Sequence, residues 1–238
     1  GLHRVLRKKP REAQRVVVPT CSLVAPLAIG DGMAAAARRA GEPARAAVEH
    51  CFHAFATVQA ALAKRAAPAS PAAWDDIECP YFVTFNTKAR DGSWVLRGCI
   101  GCLSPRPLSQ LGEYANLAAF GDRRFDPIAE HELPGLQCCV SLLVDYEGPL
   151  AWNDFEIKKH GIIIDFESGG RKFSATYLPE VAHEQGWDHR ETVASLVRKS
   201  GYRGAVDEAL LGGITLTRYQ SSKAKATHAE FQAAMGAR

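Results

Sequence analysis

YFVTFNTK (Tyr81–Lys88), the dipeptide Asp91-Gly92 and SWVLRGCI (Ser93–Ile100) decide the fold. Two runs rich in aromatic and β-branched residues, joined through Asp-Gly, are the signature of a β-hairpin. The pattern recurs downstream, where GIIIDF (Gly161–Phe166) and RKFSATY (Arg171–Tyr177) flank Ser168-Gly169-Gly170. Between the hairpins, LQCCVSLLVDY (Leu136–Tyr146) reads as a buried strand, and ITLTRY (Ile214–Tyr219) reads as the last strand of the chain. Helical patterns separate them. Val48, Cys51, Phe52, Phe55, Val58 and Leu62 fall at spacings of three and four between Pro43 and Arg65, and a second helix is expected from Pro107 to Phe120. Pro179 opens a short helix and Asp188 begins another that runs to Lys199. Strands that come as hairpins with helices between them predict an α+β fold, mainly antiparallel sheet flanked by helices. The lack of regular βαβ alternation excludes a doubly wound sheet.

Composition narrows the class further. The chain has 238 residues, 47% hydrophobic and 23% charged, which excludes general disorder, collagen-like repeats and a pure coiled coil. No apolar run approaches the 18 residues that a membrane-spanning helix needs, so no membrane partner is expected. The net charge is +3, but residues 1–45 hold nine Lys or Arg against three acids (Glu12, Asp31, Glu42), which leaves the remainder mildly acidic. A short basic extension on an acidic body argues against nucleic acid as a partner. Three segments are expected: a variable basic extension over 1–45, a folded domain over 46–222 and a C-terminal tail over 223–238. Seven cysteines, an odd and sparse set, indicate a reducing compartment, hence an intracellular protein of cytoplasm or nucleus. The Arg- and Ala-rich extension leaves organelle targeting as the alternative, and Met33 as an alternative natural start.

The chain has no GxGxxG after a strand, no GxxxxGK[ST], no HExxH and no GxSxG, so nucleotide cradling, zinc proteolysis and α/β-hydrolase chemistry lose their usual support. What remains is LRGCIG (Leu96–Gly101). Two glycines beside Cys99 let a backbone or ligand approach closely, and strand alternation places Arg97 on the face of Cys99. A cation beside a thiol favours the thiolate, the form that acts as nucleophile or redox centre. The bland alternative is a packed cysteine with Arg97 paired to a structural carboxylate. Cys99 and Cys102 also spell C-x-x-C, but zinc needs four ligands and a redox pair belongs at a helix start, so neither a metal nor a cofactor is expected. Cys51, Cys138 and Cys139 lie in apolar patterns and read as core.

LRGCIG, followed by GDRRFDPIAEHELPGLQCCVSLLVDYE (121–147), HGIIIDF (160–166), ATYLPEVAHEQGWD (175–188) and LVRKSGY (196–202), resembles the AMMECR family in order and spacing from about Val48 to Tyr219. The resemblance implies two subdomains with a cleft between them, into which the LRGCIG strand projects. It implies no settled activity, and it links the domain to radical S-adenosylmethionine and Memo-like proteins. Two departures stand out: the family pattern has Thr where this chain has Cys102, and a small polar residue where it has Arg123.

The matching blocks add Arg124, Phe125, His160, Tyr177, Glu180 and Trp187 to Cys99 and Arg97. Cys99, His160 and Glu180 form the candidate catalytic set, with His160 as a base titrating near neutrality. Arg97, Arg124, Tyr177 and Trp187 form the candidate ligand-binding set, the guanidinium of Arg124 suiting a carboxylate or phosphate or else tying down its loop through Asp122 or Asp126. Two functions stay open: a thiol-dependent enzyme or pathway accessory centred on Cys99, and a non-enzymatic module using the same cleft. The expected partner is a small anionic molecule or a protein.

Overall fold

The computed structural model describes residues 38–39 and 42–236. Six strands form one antiparallel sheet: β1 (Glu78–Lys88), β2 (Trp94–Pro107), β3 (Leu136–Leu150), β4 (Gly161–Ser168), β5 (Arg171–Tyr177) and β6 (Thr215–Thr227). Their order across the sheet is β2-β1-β3-β6-β4-β5, so each hairpin supplies one edge and the two long strands β3 and β6 join them. This is the α+β, mainly antiparallel architecture that the hairpin signatures predict.

Alternation explains the core. In β1, Tyr81, Val83 and Phe85 are fully buried while Phe82, Thr84 and Asn86 on the opposite face are half-buried. Helix α1 (Val48–Leu62) lays Cys51, Phe55 and Val58 on the buried face, where Phe55 stacks on Phe231 at 5.7 Å and meets Phe85 edge-on at 5.8 Å. A second cluster gathers Ile162, Ile164 and Phe166 of β4 with Val193, Leu196 and Val197 of helix α2 (His189–Lys199). The capping box of that helix, Asp188 with Glu191, supplies its start. Both clusters draw on the same face of β6, through Leu216 for one and Ala226 for the other. One continuous sheet therefore runs through both.

Two expectations about boundaries change. Residues 223–236 of the expected 223–238 tail are folded: Lys223–Thr227 complete β6, and His228–Gly236 form a helix whose Phe231 is 2% exposed in the main core. Ala224 and Ala226 face inward and Lys223 and Lys225 outward, an alternation in residue types of low β-propensity that carries little signal in sequence. At the other end, Ala44 is already buried, Arg45 pairs with Asp145, and Ala46 donates its amide to Ser222. The expected extension reaches at most to residue 43, and 1–37 with 40–41 lie outside the described residues.

Candidate functional site

The LRGCIG segment lies in β2, the last strand of the sheet. Register pairs Thr84 with Cys99 and Phe82 with Gly101, so Cys99 faces away from the main helical core, and its thiol accepts a hydrogen bond from the Thr84 hydroxyl at 3.1 Å. The two glycines admit the protein's own neighbours. A Cβ on Gly98 would overlap the Ala118 carbonyl, in the π-helical turn Leu117–Gly121, and one on Gly101 would overlap the Phe82 ring and the Tyr81 carbonyl. On the outer edge of the strand, the Cys99 amide donates to the Asp122 carboxylate at 2.9 Å while Arg124 Nη2 donates to the Cys99 carbonyl at 3.3 Å. Asp122 and Arg124 are themselves joined at 2.6 Å, with the Asp122 side chain only 5% exposed. The Arg124 guanidinium holds the Asp122 carboxyl down to about 2.

Arg97 does not share the alternation of Cys99. The register steps from Phe85–Gly98 to Asn86–Leu96, leaving Arg97 as the extra residue of a β-bulge. Its guanidinium makes a bidentate pair with Glu132, at 2.8 and 3.0 Å, and a third bond to the Asp126 carbonyl at 2.8 Å. The pairing lowers the Glu132 carboxyl below its ordinary range. Arg97 is thus bound to a structural carboxylate, the bland alternative weighed for it above. Arg97→Met is expected to leave the rate of iodoacetamide labelling at Cys99 unchanged in the folded protein, and to cost about 1–3 kcal/mol of stability by leaving Glu132 partly buried without its partner. Slower labelling at unchanged stability would make Arg97 an activator of the thiol.

Arg97, Arg123, Arg124, Phe125 and Asp126 line a cavity of about 470 Å³ beside this strand. Arg97 and Arg124 approach the Phe125 ring at 6.0 and 5.6 Å, within cation–π range. Arg123 and Asp126 are both exposed, and neither side chain makes an ion pair or hydrogen bond among the described residues.

The remaining predicted residues lie elsewhere. His160 precedes β4, where its Nδ1 accepts the Glu156 amide at 2.9 Å. Burial lowers its pKa, so it serves as a neutral acceptor. Tyr177 and Trp187 belong to the second cluster, with the Tyr177 hydroxyl on Ser195 at 3.0 Å and Lys199 over its ring at 4.6 Å. Glu180 pairs with Lys223 at 3.1 Å, on the face of β6 that Cys99 shares through the row Cys99, Thr84, Cys139, Lys225. Cys99 and Cys102, three residues apart on a strand, point to opposite faces with Cα atoms about 10 Å apart, too far for a disulfide or a shared ion. Sequence reading missed Thr84 and Glu132, which carry no local motif. Arg123 is legible in the sequence as a departure from the family pattern, and Asp122 as a tether for Arg124.

Among the described residues no helix is long and apolar enough to cross a membrane. The AMMECR1 family model matches residues 44–224. The chain is 47% identical over 164 residues to the uncharacterized protein At2g38710 of Arabidopsis thaliana, covering 68% of this chain and 77% of that one. It is 40% identical over 190 residues to the uncharacterized protein C688.03c of Schizosaccharomyces pombe, covering 77% and 94%. In fold it is similar to the crystal structure of the uncharacterized protein PH0010 from Pyrococcus horikoshii, with a TM-score of 0.56 and 24% identity over 74% of this chain and 89% of that one. A family match over residues 44–224, with relatives alike over most of their own length, places this chain in the AMMECR1 family.

Proposed function

We propose that the domain is a binding module for a small molecule bearing a carboxylate or phosphate, taken up in the cavity of Arg97, Arg123, Arg124 and Phe125. The observation that carries this reading is Arg123. Its two arginine neighbours in the cavity are held by Glu132 and Asp122, while Arg123 has no acid partner among the described residues and presents an unneutralised guanidinium beside them. Arginine's planar fork suits either anion. A thiol-dependent reaction at Cys99, alone or as an accessory to radical S-adenosylmethionine or Memo-like proteins, needs a base within hydrogen-bond reach. His160 is committed to the Glu156 amide and Glu180 to Lys223, so the binding role fits the geometry better.

Calorimetric titration with succinate and with inorganic phosphate tests this. Arg123→Gln is expected to weaken the tighter of the two at least about tenfold, the worth of a charge-assisted bond, and Cys99→Ser to change it less than about twofold. Binding that survives Arg123→Gln and disappears with Cys99→Ser would move the site to the thiol.

A further inference from the structure

Resting on that binding reading, we infer that the ligand is a free amino acid, whose ammonium is taken by Asp126 while its carboxylate meets Arg123. Five side chains line the cavity, and its charges cancel in pairs except for two. Arg97 is spent on Glu132 and Arg124 on Asp122, which leaves one cation, Arg123, and one anion, Asp126, facing the same space without an ion pair among the described residues.

They are three positions apart in one short loop. The Asp122 carbonyl accepts the Phe125 amide at 3.0 Å, the Asp122 carboxylate accepts the Arg124 amide at 3.1 Å, and Arg97 holds the Asp126 carbonyl at 2.8 Å. Opposite charges carried on a loop pinned at both ends are matched by a molecule that carries both charges itself. A plain dicarboxylate or phosphate meets Arg123 but works against the charge of Asp126, and a plain amine meets Asp126 but works against that of Arg123. A cavity of about 470 Å³ is within the range of small-molecule sites. Phe125, half-buried and lining the same cavity, adds an apolar ring edge for the ligand's carbon chain.

The test is a calorimetric panel of L-amino acids, each beside its N-acetyl counterpart, together with succinate. Free amino acids are expected to bind about two- to fivefold tighter than the acetylated forms, the range for an exposed ion pair. Asp126→Asn should remove that preference while tightening succinate, and Arg123→Gln should weaken every ligand. If the acetylated forms bind as well as the free ones, or Asp126→Asn leaves the preference intact, the amino-acid assignment is overturned while the anion site stands. If Arg123→Gln changes nothing, both fail.

Discussion

Gly98→Ala is expected to cost about 3 kcal/mol or more, the upper range for forcing extra volume into a packed site. The added methyl would fall inside the Ala118 carbonyl oxygen, and that oxygen belongs to the backbone of a turn that cannot swing aside as a flexible side chain would. Gly101→Ala should be comparable, since its methyl meets both the Phe82 ring and the Tyr81 carbonyl. Gly135→Ala serves as the control, for a Cβ there meets nothing within 4 Å. Urea denaturation of the three variants measures the difference. A Gly98→Ala protein as stable as the parent would mean that the turn yields, and that the glycine serves access to Cys99 instead of packing.

The second large effect is on pH. His50, His53, His160 and His228 all titrate below the ordinary value of 6.5, chiefly because burial disfavours their charged forms. Two of them do the same work: His50 Nδ1 accepts the Ala47 amide and His160 Nδ1 accepts the Glu156 amide, each at 2.9 Å. With folded values below the unfolded ones, the unfolded chain takes up protons first. Stability is therefore complete above about 6.5 and falls as pH drops below it, by up to about 1.4 kcal/mol per pH unit for each histidine that stays neutral in the fold. Asp122 and Glu132 extend the loss to lower pH, because their depressed carboxylates stabilise the fold only while ionised. Asp165, raised by burial, opposes it weakly. Urea midpoints at pH 7.5 and 5.5 should differ clearly, and His160→Asn, which keeps an acceptor and loses the titration, should narrow the gap. Equal midpoints would show that these rings open to water without cost.

How much of this was legible in the sequence depended on whether the signal was local. Tyr81, Val83 and Phe85 alternate with smaller or polar residues in adjacent positions, and Cys51, Phe55 and Val58 repeat at helical spacing, so both elements declare themselves. The C-terminal half of β6 alternates just as regularly, but with Ala against Lys, residues that favour helices and surfaces. Strand β2 runs on through Ser104-Pro105-Arg106-Pro107, a proline-bearing segment that only an edge strand tolerates. At the site, the Asp122 tether of Arg124 spans two residues and could be named from sequence as one option. The Arg97–Glu132 pair spans 35 residues, and the bulge that redirects Arg97 depends on pairing with β1, so neither leaves a mark in the local pattern.

The ion pair at the rim of β2 also bears on how the molecule behaves at high concentration. An outermost strand with unanswered amides and carbonyls is a template on which a second copy can assemble edge to edge. Here a carboxylate answers the Cys99 amide and a guanidinium its carbonyl, from within the same chain and with opposite charges that an incoming strand would have to displace. The block is strongest while Asp122 is ionised, since the charged carboxylate both accepts the amide and holds Arg124. Colloidal stability and folding stability thus share one carboxylate, and acid weakens both through it.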